Sequence, residues 1–229
     1  MQTYQCPSCG AEVKFQSSVS VTCVCPSCRS LIVRKDKDVE AIGKMAALPD
    51  DISPFQIGTQ GIYMGAHFGL IGRMKIGWED GCWNEWFMFV DSGKKGWLEE
   101  AQGFLAISFE EPAPDSIKKT LEAPKLGRLV SLSGKPFSIA DIKETECIGC
   151  EGELPMTATK GLKSTMIDLI SGDGEFASAE HDEETGETRF YRGQYLEFNQ
   201  LHFSQLRELP GWKMPLSQAS SPNGNKPHG

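Results

Sequence analysis

The chain has 229 residues, 39% of them hydrophobic and 24% charged, with five Trp and twelve Phe, and this is enough apolar material to exclude a chain disordered throughout. Its length suits one large domain or two small ones. The net charge of −8 excludes a surface built everywhere to hold polyanions. Residues 1–48 carry six basic against four acidic side chains, a balance of +2 that leaves −10 for the rest, so any nucleic-acid contact would fall to the front piece.

The opening MQTYQCPSC has neither a basic nor an apolar region, so no secretory signal is expected. Residues 53–72 form an uncharged run of twenty, the length of a membrane span, but five Gly, one Pro and several polar residues break it. It reads as a glycine-rich strand and turn. A cytoplasmic location is the expectation, where cysteines stay reduced and ligate metals more often than they form disulfides.

Residues 6–28, CPSCGAEVKFQSSVSVTCVCPSC, hold five cysteines. Cys6-Pro7-Ser8-Cys9 recurs as Cys25-Pro26-Ser27-Cys28 with fifteen residues between, the spacing of two facing knuckles that aim four thiolates at one Zn2+. Gly10 permits the chain reversal after the first knuckle, and Arg29 takes that place after the second. Residues 12–15 and 19–23 alternate polar and apolar as the strands of a hairpin, and residues 30–34 supply a third strand. Residues 1–35 therefore read as a zinc ribbon with Cys6, Cys9, Cys25 and Cys28 as ligands, because so few apolar side chains cannot hold such a piece together without metal.

Cys23 belongs to neither tetrapeptide and is assigned as a spare thiol beside the site; putting it in place of Cys25 breaks the symmetry of the knuckles. Arg29, Arg34, Lys35 and Lys37 make a short basic edge with no interleaved aromatic for base stacking. Structural support or protein docking is thus favoured over nucleic-acid contact.

Residues 36–52 contain helix formers, with Val39, Ile42 and Ala46 near one face and Pro49 as a stop, and read as a short helix or linker. From residue 53 the pattern is β and repeats at an offset of 69. IGTQGIYMGAHFGLIG from Ile57 lies over LGRLVSLSGKPFSIAD from Leu126, matching Gly58 with Gly127, Gly65 with Gly134 and Phe68 with Phe137. The second glycine of each copy suits a tight turn, and the following aromatic begins an inward-facing row.

GFLAIS from Gly103 and EFASAE from Glu175 extend the match with the offset stretched to 72. NEWFMFVD, residues 84–91, is apolar on both faces, as in a strand covered on both sides when two sheets pack. EHDEETGETRFYRGQYLEF reads as two hairpins with turns at Thr185-Gly186 and Arg192-Gly193. The expected fold is mainly β: an N-terminal zinc ribbon followed by a duplicated antiparallel β-sandwich or half-barrel body. Its modules span residues 53–123 and 124–212, and residues 213–229 form a disordered tail.

IGRMKIGWEDGCWNEWFMFVDSGKKGWLEEAQGF, with its W-N-E-W and W-L-E-E-A-Q-G-F signatures, resembles the bacterial family of domain of unknown function number 4178. Residues 172–198 resemble the second half of that family's proteins, and the CPSC ribbon resembles the front end that many carry. The resemblance spans roughly residues 5–212. It implies gene neighbourhoods shared with membrane-stress and ion-channel proteins, and supplies no catalytic residues to carry over.

Three further cysteines remain. Cys147-Ile148-Gly149-Cys150 has metal or redox spacing, and Cys82 lies near the matching position of the first copy, so the three thiols either approach to form a second metal site or serve as buried apolar residues. Glu79, Asp80 and Glu85 flank Trp78, Trp83 and Trp86, while Glu99 and Glu100 follow Trp97. Carboxylates beside aromatics suit a cleft for a cationic, polyamine-like ligand; the plainer reading makes them solvated turn and edge residues.

Residues 180–184, EHDEE, read as a soluble acidic hairpin tip. His67, His181, His202 and His228 share no ligand spacing, and no nucleophile elbow, P-loop or dinucleotide fingerprint occurs. The expected function is that of a non-enzymatic interaction or adaptor protein whose β body binds a protein partner or a small ligand, in a bacterial membrane-stress assembly with room for peripheral membrane association but no transmembrane segment. The alternatives are nucleic-acid binding through the ribbon and an enzyme acting near the Trp78 and Trp97 region.

Overall fold

The computed structural model describes residues 1–35, 38–45, 47–48 and 51–212. Each CPSC turn is itself the tip of a hairpin. Strand β1 (Gln2–Gln5) pairs with β2 (Glu12–Phe15) around the first knuckle, and β3 (Thr22–Val24) pairs with β4 (Ser30–Lys35) around the second. The expected hairpin between residues 12–15 and 19–23 is therefore replaced, because the knuckle already reverses the chain: Gly10 N–H donates to the Cys6 carbonyl, and Arg29 N–H to that of Cys25.

The helix or linker expected over residues 36–52 is corrected as well. Residues Asp38–Lys44 form strand β5 on the free edge of β4, with Val39 and Ala41 half-buried at strand spacing. Edge pairing overrides the weak helical periodicity of this stretch. Ala46, Pro49 and the tail expected over residues 213–229 lie outside the described residues.

The body begins with β6 (Gln60–Tyr63), β7 (Ala66–Trp78), β8 (Gly81–Val90), β9 (Lys95–Ala101) and β10 (Phe104–Glu111). A short helix, α1 (Asp115–Leu121), buries Ile117 and bridges to the second copy; the sequence reading assigns no element there. The second copy comprises β11 (Leu129–Leu132), β12 (Lys135–Leu154), β13 (Lys163–Ser171), β14 (Glu175–Asp182) and β15 (Thr188–Leu196).

The offset of 69 is visible in the backbone. β6 pairs with β7 from Gln60↔Gly69 to Tyr63↔Ala66, and β11 with β12 from Leu129↔Ser138 to Leu132↔Lys135. Each hairpin turns through a left-handed pair, Met64-Gly65 and Ser133-Gly134. Each long strand then carries a bulge at the same place, between Leu70 and Gly72 and between Ile139 and Asp141.

The two copies close into one barrel rather than a sandwich. Antiparallel pairing runs β12-β13-β14-β15-β10-β9-β8-β7, and β7 pairs back onto β12, so eight strands complete the circle and each copy supplies half of it. Gly77 and Glu146, equivalent under the repeat, face each other at the closing seam, placing a local twofold there. The seams need glycine. A Cβ on Gly72 would lie 1.6 Å from the Glu153 carbonyl oxygen, and one on Gly193 would lie 1.9 Å from that of Ile107.

Gly193 therefore sits inside β15, and residues 175–196 form one hairpin instead of two, with its turn at Gly186. The stretched match of residues 103–108 to 175–180 is likewise out of step: β14 is the third barrel strand of its copy, so its counterpart is β9, not β10.

Alternation along the strands separates an outer from an inner face. Phe68, Leu70, Trp86, Met88 and Leu98 lie outside, under Phe55 and Phe203. Phe137, Ile139, Ile167 and Ala177 occupy the corresponding outer face of the second copy, under α1. The rows begun by Phe68 and Phe137 are thus core rows, but outside the barrel wall. β8 is covered on both faces as expected, though by a covering layer and the lumen rather than by a second sheet.

Inside the barrel, Phe87, Trp97, Cys147 and Tyr191 join Val24 and Leu31 of the ribbon in one apolar cluster that fills the near end. β3 extends the sheet by pairing with β12, and Glu153 of β12 accepts hydrogen bonds from Gln16 N–H, Ser17 N–H and the Ser20 hydroxyl, fastening the ribbon to the barrel.

Candidate metal centre and ligand cavity

Two sites emerge, one at each end of the molecule's long strand β12. At the ribbon, Cys6, Cys9, Cys25 and Cys28 bring their sulfurs within 4.8 Å of one another. The Cys6–Cys28 and Cys9–Cys25 separations are 3.7 and 3.8 Å. A tetrahedron of thiolates about 2.3 Å from a central ion has edges of about 3.8 Å, so the four sulfurs fit a single metal ion.

The Ser30 hydroxyl and N–H beside Cys28 bring that thiol down to about 6, which favours the ligating thiolate. Arg29 holds the left-handed conformation, at φ 62°, that Gly10 holds at 74° in the first knuckle. Cys23 stands outside the cluster, buried on β3, where burial raises it to about 12.

Cys82, Cys147 and Cys150 do not assemble a further centre. Among the described residues the ribbon cysteines form the one group of three or more ligating side chains close enough to share an ion. Cys147 and Cys150 are buried, which raises them to about 11 and about 12, and Cys82 is exposed. The buried pair acts as small apolar side chains.

The barrel lumen opens at the end away from the ribbon into a cavity of about 1090 Å³. Its walls include Trp78, Trp83, Glu99, Lys143, Met166 and Asp168, and Phe104, Ile170 and Tyr195 stand exposed around the mouth. Glu85 lies beside Glu99 as its cross-strand partner. Glu85 on β8, Glu99 on β9, Asp168 on β13 and Glu180 on β14 each alternate with a neighbour packed outside, Trp86, Leu98, Ile167 and Ala179, so all four point inward, β9 facing β13 and β8 facing β14 across the barrel.

All four keep some accessible surface, and Glu99 and Asp168 line the cavity directly. Burial, reinforced by the charge of Glu180, pushes Glu85 up to about 8 against the donation from Trp83. Glu99 is raised well above its ordinary value by burial and by Glu85, and Asp168 is raised by burial. Glu99 accepts from the Ser108 hydroxyl at 2.8 Å, and Glu85 from Trp83 Nε1 at 3.0 Å.

The carboxylates singled out in the sequence therefore divide. Glu79 and Asp80 are exposed at the β7–β8 turn, the plain reading. Glu100 faces outward and accepts from Ser53, Asn84 and Trp86. Glu85 and Glu99 enter the lumen. Of the acidic run, Glu183 and Glu184 occupy the exposed tip, Asp182 is buried under the turn, where it accepts from the Glu184 and Thr185 N–H groups, and Glu180 is in the lumen.

Sequence reasoning missed Asp141, Lys143, Asp168, Ser178 and Tyr195. Their signal is parity: Asp168 sits between Ile167 and Leu169, which pack outside, so a strand covered on both faces carries a charge on its inner one. Of the histidines, His181 contacts Thr188, His202 ends a 3-10 turn, and His228 lies outside the described residues.

No curated protein and no solved structure matches the chain. Among the described residues no helix is long and apolar enough to cross a membrane. The model of the family described as Domain of unknown function (DUF4178) matches residues 56–198, the whole barrel apart from the ribbon, and the chain belongs to that family.

Proposed function

We propose that this chain is a non-enzymatic binding protein: a zinc-held ribbon seals one end of a duplicated barrel whose lumen receives a small ligand from the other. The observation that carries the reading is the lumen itself. Eight-stranded barrels are filled by side chains or hold one small ligand, and here the ribbon end is filled while about 1090 Å³ stands open at the far end with charged groups on its walls. Zinc is the metal because an all-thiolate tetrahedral set of two Cys-x-x-Cys turns suits its softness and closed coordination.

An adaptor role for the ribbon, docking a protein in a membrane-stress assembly, goes with this reading; the exposed Met1 and Val21, near the join with the barrel, supply a surface. The nucleic-acid alternative loses support because two of the basic-edge residues contact the chain itself, while Lys37 lies outside the described residues. Arg34 lies 5.2 Å over the Phe15 ring and donates to the Ser17 and Ser18 carbonyls, and Lys35 pairs with Glu40. The enzymatic alternative draws on Glu85, raised to about 8, and on Glu99 beside it, raised well above its ordinary value, the direction a general acid needs.

Two measurements test the reading. Elemental analysis should find about one zinc per chain in the wild type and in Cys23→Ser, and near none in Cys28→Ser; two equivalents, or retention after Cys28→Ser, would overturn the ligand set. Turnover of any small molecule that captures the lumen, lost on Glu85→Gln, would replace the binding role with catalysis.

A further inference from the structure

Three inward-facing carboxyls make no direct ion pair, although Lys143 lies near enough to Asp168, and Arg189 to Glu85, to favour the ionised forms. Lys143 pairs with Asp141, and Arg189 with Glu180 and Glu187, whereas among the described residues Glu85, Glu99 and Asp168 make no ion pair. A buried acidic cluster of this kind is costly unless a positive charge joins it. A second observation points the same way. The Ser178 hydroxyl, on the inner face of β14 as the cross-strand partner of Asp168, is 2% exposed and makes no hydrogen bond of acceptable distance and angle, although it lies close enough to favour Asp168's ionised form.

The spacing of the acids argues against a metal ion, since these carboxylates do not form a group with oxygens within 4.8 Å of one another, as the ribbon sulfurs do. A cation that needs only two of these acids, one from each wall, fits such a separation. The walls are aromatic, and the chain already displays the contact they favour: Lys143 Nζ sits 5.2 Å from the centre of the Trp78 ring. The mouth is apolar. Phe104 is 70% exposed, Tyr195 49% and Ile170 39%, all beside the opening.

We propose that the lumen is a binding site for an organic ammonium ion with an aliphatic chain, its cationic head held between Glu99 and Asp168, the two acids that line the cavity from opposite walls, and its chain lying along the mouth. The assignment rests on the binding role proposed above and gives its ligand class. The groups facing Glu85 are Glu99, Glu180, Asp168, Arg189, Tyr191 and Cys147, from the strands around it. Acids dominate that set, so the head group competes with protons: Glu85, at about 8, and Glu99 and Asp168, both raised, give up protons more readily as the cation enters. Affinity should therefore rise with pH toward about 8 and binding should release protons.

The test is titration calorimetry and tryptophan fluorescence on the full zinc-loaded chain at pH 8, with n-octylammonium, octanoate and 1-octanol as probes. Octylammonium should bind with a heat that varies with the buffer's ionisation enthalpy, and octanoate should not bind. Glu99→Gln and Asp168→Asn should each weaken it at least tenfold, Ser178→Ala severalfold, and the exposed-site Glu79→Gln not at all, with melting temperatures confirming that every variant folds. Octanol binding as tightly as octylammonium, or a Glu99→Gln variant with unchanged affinity, would overturn the cation assignment while leaving a binding lumen. Failure of all three probes to bind would remove both.

Discussion

Two sets of buried carboxylates lie on opposite sides of the barrel wall, and they are treated differently. Outside, Asp51 accepts from Arg73, Lys75, Asn84 and Arg207, and at the ribbon seam Glu153 accepts from three donors. Inside, Glu85 and Glu99 have one neutral donor each, and Asp168 makes no ion pair among the described residues. Burial raises Asp51 and Glu85 alike, but only Asp51 has enough partners to reverse the effect: Asp51 ends at about 2, Glu85 at about 8. The outer charges hold the fold, whereas Glu85, Glu99 and Asp168 make no ion pair among the described residues.

The contrast is sharpest at Asp51. Replacing it with Ala leaves Arg73 and Lys75, 5% and 6% exposed, with much of their compensation gone, and should cost about 3–5 kcal/mol in urea unfolding. Its acid dependence has a definite sign. Because the folded-state value lies below the usual 3.8, the stabilisation is complete above that value and is lost as pH falls from about 4 toward 2. The Asp51→Ala variant should show a flatter acid limb; an unchanged limb would mean that Asp51 does not hold these cations.

Glu153 extends the comparison to the join between ribbon and barrel. Glu153→Ala strands two backbone N–H groups and a hydroxyl in a site only 2% exposed, and should cost about 2–3 kcal/mol. The loss should be local. Hydrogen exchange at Gln16 and Ser17 should accelerate and zinc should leave faster to a chelator, while the amides of β8 and β13 keep their protection. Uniform acceleration across the barrel would place Glu153 in the common core instead.

Much of this was legible in the residues. Twin CPSC turns specify their own geometry, and the repeat shows because turn glycines and the bulged strands keep their spacing across 69 residues. The closure was not legible, since Gly72 and Gly193 look like any strand glycines until β12 and β10 are laid against them. The lumen was half legible. Glu85 and Glu99 drew notice through their tryptophan neighbours, but nothing local distinguishes them from Glu100, whose side chain lands on the other face of the same strand as Glu99. Asp141, read as the last residue of a repeat, enters the cavity only because a bulge resets the parity of β12.

The smallest expected effect separates the two sets most directly, because it has the opposite sign. A carboxyl whose folded-state value is raised binds its proton more tightly in the folded chain, so its contribution is full below about 4.5 and falls as pH climbs toward 8. Glu85→Gln keeps the donor from Trp83 satisfied through the amide oxygen and removes the ionisation. In the empty protein it should therefore gain on the order of 1–2 kcal/mol at pH 8 and nothing near pH 5, read as melting temperature against pH. Loss of stability at both pH values would mean that the Glu85 carboxylate is already compensated in the folded chain, and the distinction between a paired exterior and an unpaired lumen would go with it.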